Sequence, residues 1–323
     1  MAESATSPIF GRFRRFIEPE AIAGAPEGAV FYSTCRPVDV RSVLAGPENP
    51  AARFAEGHLP NSMLLPFRLV FCAPARGDGA GGRSPWPDAA RVRMALLSAG
   101  LKPEERLLFW DAGSTTFAAR AVILARAAGF SGALALAGGL AAWRRAGLPV
   151  ASGAPEARAA AGAALCKPDD GNSRRFAEAD APIILSAKTL LADIKAERAF
   201  VIDARSAEAF SAQTGRSLDP PGRIPGAVSR PAADNFDSDG RLKSAERLRE
   251  ELRALCTGRP GMPVHACGSG IAACLNLLVA EEAGLAPLRS ERLYPGGWSE
   301  WSRLADYPQD RLTARPGRRR SGT

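Results

Sequence analysis

The 323-residue sequence contains no apolar run of about 18 residues, the length that a membrane-spanning helix needs. It has only two histidines and no Cys-x-x-Cys pair, which argues against a zinc site. The six cysteines are irregularly spaced and do not form a disulfide framework. Cysteine usage of this kind favours a reducing compartment, and we expect a cytoplasmic protein. The first 17 residues lack the apolar core of a signal peptide.

Acidic residues are the scarcer charge, because 34 aspartates and glutamates face 42 lysines and arginines, which gives a net charge of +8. Part of this excess lies in the last residues, and we expect residues 309–323 to form a basic disordered tail. Neither a nucleic-acid partner nor a membrane partner is predicted. A net positive charge instead favours small anionic substrates.

One loop has the residue pattern of a reactive site. The apolar run 263–266 ends at Cys267, and Gly268, Ser269 and Gly270 separate this cysteine from an alanine-rich segment that predicts a helix. Glycines allow the N–H groups of such a loop to converge on negative charge, and the N-terminus of a helix adds to the same field. A thiol in this field ionises readily and is a nucleophile near neutral pH. A buried structural cysteine at the end of a strand is the alternative.

The rest of the sequence repeats one order of elements. Short apolar runs alternate with helical segments, and Gly-Gly-x-x-x-Trp occurs at 138–143 and again at 296–301. Strands that alternate with helices favour a parallel sheet with helices on both faces. We predict an α/β protein with two tandem domains, residues 20–151 and 181–308, joined by a linker over 152–180. The main predicted strands are 30–35, 106–110, 133–136 and 200–205, and the main predicted helices are 88–99, 117–128, 206–210, 244–256 and 272–283.

The repeat places Asp111 of the first unit where the second unit has Cys267. Ligands of open α/β sheets bind beyond the carboxyl ends of the strands, which is where both residues lie. An aspartate supplies no thiolate, and its charge opposes the binding of an anion. We therefore interpret the first unit as catalytically empty and Asp111 as a carboxylate that braces its own loop.

The repeat and its motifs identify the chain as similar to a known family. It resembles the two-domain rhodanese-like sulfurtransferases, which include thiosulfate and 3-mercaptopyruvate sulfurtransferases, over about residues 28–150 and 185–308. The segments that carry the resemblance are Val-Ile-Asp-Ala-Arg at 201–205, Gly-Arg-Ile-Pro-Gly-Ala at 222–227, Cys-Gly-Ser-Gly-Ile at 267–271 and Leu-Tyr-Pro-Gly-Gly-Trp-Ser-Glu-Trp at 293–301.

The resemblance implies a two-step reaction. Cys267 attacks the transferable sulfur of a small donor and holds it as a persulfide, and a thiol, cyanide or a thioredoxin-type acceptor then removes it. No metal or organic cofactor is implied. The Cys-Gly-Ser-Gly form of the loop resembles that of the mercaptopyruvate enzymes and favours 3-mercaptopyruvate as the donor, with thiosulfate as the second possibility. The residues implied at the site are Cys267 and Ser269 for catalysis and Gly268, Gly270, Ile271, Ala272, Arg216 and Arg223 for substrate binding.

The resemblance also covers three further motif residues, and the sequence departs from the family at one position. Asp203 and Arg205 are expected to brace the active loop through an ion pair. His58 matches a His-x-Pro motif, and we interpret it as a structural histidine. At Ala209, just ahead of Phe210, the mercaptopyruvate enzymes have an arginine that binds the substrate carboxylate. A methyl group does not replace a planar guanidinium.

Two other functions compete with sulfur transfer. Rhodanese-like phosphatases need Cys-x5-Arg, and counting from Cys267 places Ala273 at the arginine position, so the phosphatase interpretation is weak. The chain is alternatively a non-catalytic module that carries a persulfide for a partner. The cysteine is compatible with this function, and Ala209 slightly favours it.

Overall fold

The computed structural model describes residues 15–24, 26–44, 46–155, 181–211 and 218–310. Three predicted features lie outside these residues: Arg216, most of the linker, and the basic tail from residue 311. In the described part of the chain, no helix has both the length and the apolar character to cross a membrane.

The first unit is a parallel five-stranded sheet in the order β1-β5-β4-β2-β3. Its strands are β1 Phe16–Ile17, β2 Cys35–Asp39, β3 Met63–Leu64, β4 Arg106–Trp110 and β5 Leu134–Leu136. Its helices are α1 Pro19–Ala23, α2 Pro26–Ser33, α3 Pro50–Glu56, α4 Phe67–Phe71, α5 Ala89–Ser98, α6 Thr116–Ala127 and α7 Gly139–Arg145. Strand β4 is buried in the middle of the sheet, and five residues separate its last residue, Trp110, from the start of α6.

The second unit repeats this topology as β6-β10-β9-β7-β8, again with parallel strands throughout. Its strands are β6 Ile183–Ile184, β7 Ala199–Asp203, β8 Val228–Ser229, β9 Met262–Ala266 and β10 Arg292–Leu293. Its helices are α8 Ala187–Lys195, α9 Ala207–Ser211, α10 Ala245–Cys256, α11 Ala272–Glu282 and α12 Gly297–Trp301. The predicted α/β class, with two tandem parallel sheets flanked by helices, is confirmed.

Helices α6 and α11, which follow the central strands β4 and β9, pack against each other. Most residues of both helices are buried. One hydrophobic cluster therefore runs through both units, from Phe109 and Val122 of the first to Leu277 and Val279 of the second. The packed helices α6 and α11 therefore connect the carboxyl ends of strands β4 and β9.

The predicted strand 30–35 is wrong. Residues Pro26–Ser33 form helix α2, and the strand begins only at Cys35. Gly28 explains the difference, because a Cβ atom there would overlap the carbonyls of Ala21 and Ile22 in α1. The close packing of two short helices therefore overrides the strand propensity of Val30, Phe31 and Tyr32.

Two of the predicted domain limits also differ from the structure. Strand β1 pairs with β5, so the first sheet begins four residues before the predicted start at residue 20. At the other end, Asp310 pairs with Arg223 in a β-bridge, so the ordered chain extends past the predicted limit of 308.

Candidate active site

The loop that holds Cys267 lies between β9 and α11 and is fixed from below by α12. The Trp298 N–H donates to the Cys267 carbonyl at 2.8 Å, and the Ser299 N–H donates to the Gly268 carbonyl at 2.9 Å. Gly297 has a φ of +59°, and a Cβ atom there would overlap the Cys267 carbonyl oxygen. Only glycine allows α12 to approach this closely, so the Gly-Gly-x-x-x-Trp motif positions the cysteine backbone.

The N–H groups of the loop are the notable electrostatic feature. The backbone N–H groups of residues 268–272 donate to no protein acceptor within the residues that the structure describes. Gly270 adopts a φ of +70° and packs against the backbone of Pro295, where any Cβ atom would clash. Together with the N-terminus of α11, these donors form an environment that favours negative charge. The arrangement suits a thiolate or another sulfur anion.

The corresponding loop of the first unit uses its donors internally. The carboxylate of the fully buried Asp111 accepts hydrogen bonds from the N–H groups of Gly113 at 2.9 Å, Thr115 at 2.9 Å and Phe117 at 3.1 Å. Its burial raises the pKa of this carboxyl, and the backbone donors oppose that shift. The prediction that Asp111 braces its own loop is confirmed.

A cleft of about 300 Å³ opens above the Cys267 loop, and residues of both units line it. Cys267 itself is only 3% exposed, so it lies at the base of this cleft. Ser269 also lines the cleft, and its hydroxyl donates to no described group. The first unit contributes Leu44 and Arg83, and the second contributes Ala204, Arg205, Ser206, Ala209, Leu218, Asp219, Cys267, Gly268, Ser269, Ile271 and Ala272.

Arg83 reaches the site from the long loop between α4 and α5. Its Nη1 pairs with Asp219 of the second unit, whose side chain is almost completely buried. Its Nη2 lies 3.2 Å from where a Cβ atom of residue 268 would be. A side chain at Gly268 would meet this guanidinium, so the glycine leaves room for a cation that another part of the chain supplies.

Arg120 of α6 joins the first unit to the Cys267 loop. It is completely buried and donates to the carbonyls of Ser269 and Gly270, each at 3.4 Å. Its other donors reach the carbonyl groups of Phe71 at 3.1 Å, Ser84 at 2.9 Å and Pro85 at 3.0 Å. One side chain therefore holds the loop of Arg83 and the loop of Cys267 together.

Asp203 and Arg205 form the predicted ion pair, with Arg205 Nη2 at 2.7 Å from an Asp203 carboxylate oxygen. Arg205 also donates to the Gly222 carbonyl at 3.1 Å, and its guanidinium lies 5.5 Å from the ring of Trp298. Because Trp298 donates to the Cys267 carbonyl, the pair supports the active loop from one side.

The other predicted substrate-binding residues separate into two groups. Gly268, Ile271 and Ala272 line the cleft, whereas Gly270 does not and instead shapes the loop. Arg223 does not line the cleft either, and its contact with substrate stays a prediction. Its guanidinium lies 4.7 Å from the Phe210 ring, and its Nε is 3.9 Å from an Asp310 carboxylate oxygen.

His58 has the structural role that we predicted. Its ring stacks on Phe54 with centroids 3.8 Å apart, and its Nδ1 is 2.8 Å from the Phe54 carbonyl oxygen. Its backbone pairs with Ala151, which ties the end of the first unit to its sheet. It does not line the cleft above Cys267.

The remaining described cysteines have surroundings unlike those of Cys267. The Cys274 thiol donates to the Gly270 carbonyl at 3.1 Å, and burial raises its pKa to about 12. Burial also raises the pKa values of Cys72 and Cys256, and it raises that of Cys35 to about 11. These four thiols are protonated at neutral pH and are poor nucleophiles. In the described part of the chain, no three His, Cys, Asp or Glu side chains are grouped as metal ligands.

Sequence reasoning missed two residues of this site. Arg83 lies in a Gly/Pro-rich segment, 73–87, whose composition indicates only an irregular loop. Arg120 gave a usable signal, because it and Arg126 are the two charged residues of a helix that is otherwise almost entirely apolar, and buried arginines need acceptors.

Comparison with known proteins supports the interpretation of the fold and the family. Residues 186–304 match the Rhodanese-like domain family. A Pseudomonas aeruginosa protein named probable 3-mercaptopyruvate sulfurtransferase is 36% identical over 267 residues, 82% of this chain and 88% of that protein. The 3-mercaptopyruvate sulfurtransferase of Escherichia coli O157:H7 is 29% identical over 288 residues, 85% of this chain and 92% of that protein.

A solved structure, 3-mercaptopyruvate sulfurtransferase from Leishmania major, aligns with a TM-score of 0.68 at 24% identity, over 94% of this chain and 76% of that one. This likeness shows the fold, and the P. aeruginosa relative extends it to the family. With its tandem parallel sheets, the chain belongs to the rhodanese-like sulfurtransferases and is a sulfur-transferring enzyme.

Proposed function

We propose that the chain transfers a sulfur atom from 3-mercaptopyruvate, through a persulfide on Cys267, to a thiol acceptor. The observation that carries the proposal is the position of Cys267 at the base of a cleft, among N–H groups that donate to no described acceptor. Aspartate fills the same place in the first unit, so only the second unit offers a nucleophile. Thiosulfate is the second donor to be tested.

In the first step, the Cys267 thiolate attacks the sulfur of 3-mercaptopyruvate. An S–S bond forms, the C–S bond breaks, and its electron pair passes to the carbon as the enolate of pyruvate. The proton of the donor thiol is transferred to this enolate, so that pyruvate leaves and an anionic persulfide remains on Cys267. In the second step, an acceptor thiolate attacks the outer sulfur and takes it, which restores the Cys267 thiolate.

The loop donors stabilise the charge that these steps place on sulfur. The N–H groups of residues 268–272 are fixed before the reaction, so they need no reorganisation as the persulfide forms. The Ser269 hydroxyl hydrogen-bonds the keto oxygen of the donor, whose charge grows as the enolate forms. Gly268, Ile271 and Ala272 form the wall against which the donor lies.

The choice of donor rests on two observations. The Cys-Gly-Ser-Gly loop is neutral, which suits a monocarboxylate better than a dianion such as thiosulfate. Both relatives described above carry the name 3-mercaptopyruvate sulfurtransferase. For the acceptor we propose a low-molecular-weight thiol, cyanide or a thioredoxin-type protein.

The test is a steady-state assay of wild type, Cys267→Ser and Cys274→Ser with 3-mercaptopyruvate and with thiosulfate. With excess dithiothreitol as the acceptor, whose second thiol closes a disulfide and releases the transferred sulfur as sulfide, we expect pyruvate and sulfide from 3-mercaptopyruvate with wild type and Cys274→Ser, and none with Cys267→Ser. Mass spectrometry of the enzyme after donor alone should find one added sulfur atom on the peptide that contains Cys267. Turnover that survives Cys267→Ser would refute the assignment of the nucleophile.

Ala209 favours a second function, in which the persulfide is carried to a partner protein rather than released in turnover. A persulfide that forms on Cys267 without turnover of either donor, in the presence of thiol or cyanide, would support this function. The same assay therefore separates the enzyme from the carrier.

A further inference from the structure

The cleft above Cys267 has only two arginines among the described residues that line it, Arg83 and Arg205. At Ala209, which also lines the cleft, there is no cation to meet a substrate carboxylate. The Nε and Nη2 atoms of Arg205 are engaged by Asp203, and its Nη2 also donates to the Gly222 carbonyl. Arg205 therefore has no pair of adjacent donors left for a carboxylate.

Arg83, in contrast to Arg205, keeps a pair of adjacent donors. Its pairing with Asp219 uses Nη1, whereas its Nε and Nη2 donate to no described group. The Nε–H and Nη2–H bonds of a guanidinium point in parallel, which matches the two oxygens of a carboxylate. The Nε atom is buried, so its lack of a partner carries a free-energy cost that a bound carboxylate would remove.

The backbone of Arg83 is held by the same helix that fixes the cysteine loop. The Arg83 N–H donates to the Ser299 hydroxyl at 3.1 Å, and the Gly81 N–H donates to a Glu300 carboxylate oxygen at 2.8 Å. Both acceptors belong to α12, whose Trp298 N–H fixes the Cys267 carbonyl. The guanidinium and the thiol are thus positioned relative to one short helix, although they come from different units.

We propose that Arg83 binds the carboxylate of the sulfur donor through its Nε–Nη2 edge and so makes the cleft selective for 2-oxo acid donors. The inference rests on the proposed function, because it takes the donor to be 3-mercaptopyruvate. Asp219 orients the guanidinium through Nη1 and leaves the opposite edge to the substrate. The first unit, which has no nucleophile, therefore supplies the specificity of the reaction.

The experiment compares Arg83→Ala and Arg83→Lys with wild type. Loss of a charged bidentate contact should raise KM for 3-mercaptopyruvate by about 10- to 100-fold and leave kcat within about threefold. Lysine keeps the charge beside Asp219 but lacks the planar edge, so Arg83→Lys should recover only part of the loss. Arg76→Ala is the matched control, because Arg76 is an exposed arginine of the same loop that does not line the cleft.

Further measurements exclude a merely structural effect. Mercaptoacetone has the ketone and the thiol of the donor but no carboxylate, so kcat/KM for it should change less than about threefold in Arg83→Ala. Adding Ala209→Arg to Arg83→Ala returns a guanidinium to the cleft and should lower KM for 3-mercaptopyruvate again. Urea unfolding identifies any loss of folding, and the double variant Arg83→Ala, Asp219→Asn measures how much of that loss comes from the buried Asp219 carboxylate.

Direct binding separates this inference from the proposed function. Pyruvate carries the carboxylate but donates no sulfur, and calorimetry measures its Kd without turnover. We expect a Kd about 10- to 100-fold weaker in Arg83→Ala than in wild type. An equal Kd in the two proteins, or no binding to wild type, would overturn the role of Arg83. Absence of turnover in wild type, with the difference in pyruvate Kd preserved, would overturn the proposed function alone.

Discussion

The two central loops of the molecule, from Asp111 to Thr116 and from Cys267 to Ala272, join equivalent strands to equivalent helices. Both are fixed by a Gly-Gly-x-x-x-Trp helix, since the Leu140 N–H donates to the Asp111 carbonyl just as the Trp298 N–H donates to that of Cys267, each at 2.8 Å. In the first loop, a carboxylate uses the N–H donors. In the second loop, the donors stay available.

The difference shows how equivalent loops of one fold can either stabilise the fold or stabilise charge during a reaction. Donors directed at an internal carboxylate stabilise the loop, whereas donors without an internal acceptor stabilise charge that arrives with a substrate. The two units also differ at matching positions of helices α6 and α11. Arg120 of α6 crosses to the other unit, whereas Asn276 at the matching place on α11 bonds to Asn235 and to the Arg230 carbonyl within its own unit.

Cys267→Asp converts the second loop into a copy of the first and has the largest expected effect. The carboxylate should accept the loop N–H groups and leave no nucleophile, so sulfur transfer should fall by about 10⁴-fold or more. The free energy of unfolding in urea should stay equal to that of wild type or rise. A marked loss of stability would mean that the two loops are not equivalent as anion sites.

Alkylation compares the cysteines of the two units. In a Cys166→Ser background at pH 7.5, iodoacetamide should modify Cys267 at least about 100-fold faster than Cys35, because burial raises the pKa of Cys35 to about 11. The Cys35 rate should increase about tenfold per pH unit until pH approaches that pKa, since only the thiolate reacts. Peptide mass spectrometry measures both rates, and equal rates at pH 7.5 would contradict the special environment of Cys267.

Arg120→Asn gives α6 the residue that α11 has at the matching place. It leaves five carbonyl groups without their donor, including those of Ser269 and Gly270, and should lower the free energy of unfolding by about 2–4 kcal/mol. We also expect kcat/KM to fall about tenfold, because the Cys267 loop loses its support from the first unit. Asn276→Ala is the counterpart and should reduce stability with a smaller effect on kcat/KM.

Gly139→Ala and Gly297→Ala should have the smallest effects. Each places a Cβ atom against a carbonyl, that of Asp111 or that of Cys267, at a residue with positive φ. Each should cost about 1–3 kcal/mol of unfolding free energy. Only Gly297→Ala should lower kcat, and an equal loss of kcat in both variants would show that the loops are mechanically coupled.

Much of the fold was predictable because its signals are local. The apolar runs at β4 and β7 and the helices that start near residues 88 and 244 are predicted from local patterns, and the structure confirms them. Helix α2 was mistaken for a strand because its residues favour strands and its packing against α1 depends on Gly28. Pro26, the first residue of α2, was the signal available for a helix start.

The site was predictable only where one loop contains it. Cys267 is predicted from the glycines and the helix that surround it, whereas the role of Ser269 is implied by the family resemblance; both residues line the cleft. Arg83 lies 184 residues earlier in the chain, and nothing in its neighbours indicates that the sequence returns to Gly268. Contacts of this kind arise from the packing of two units and are absent from local patterns.

The shared cluster formed by α6 and α11 has a consequence for the energetics of the whole chain. Unfolding of either half exposes to water the apolar helix face that covers the other, so neither half gains from melting first. The two repeats should therefore denature together, as a single peak in calorimetry. In thermodynamic terms, the first unit behaves as a permanently attached subunit whose folding free energy contributes to the stability of the unit that contains Cys267.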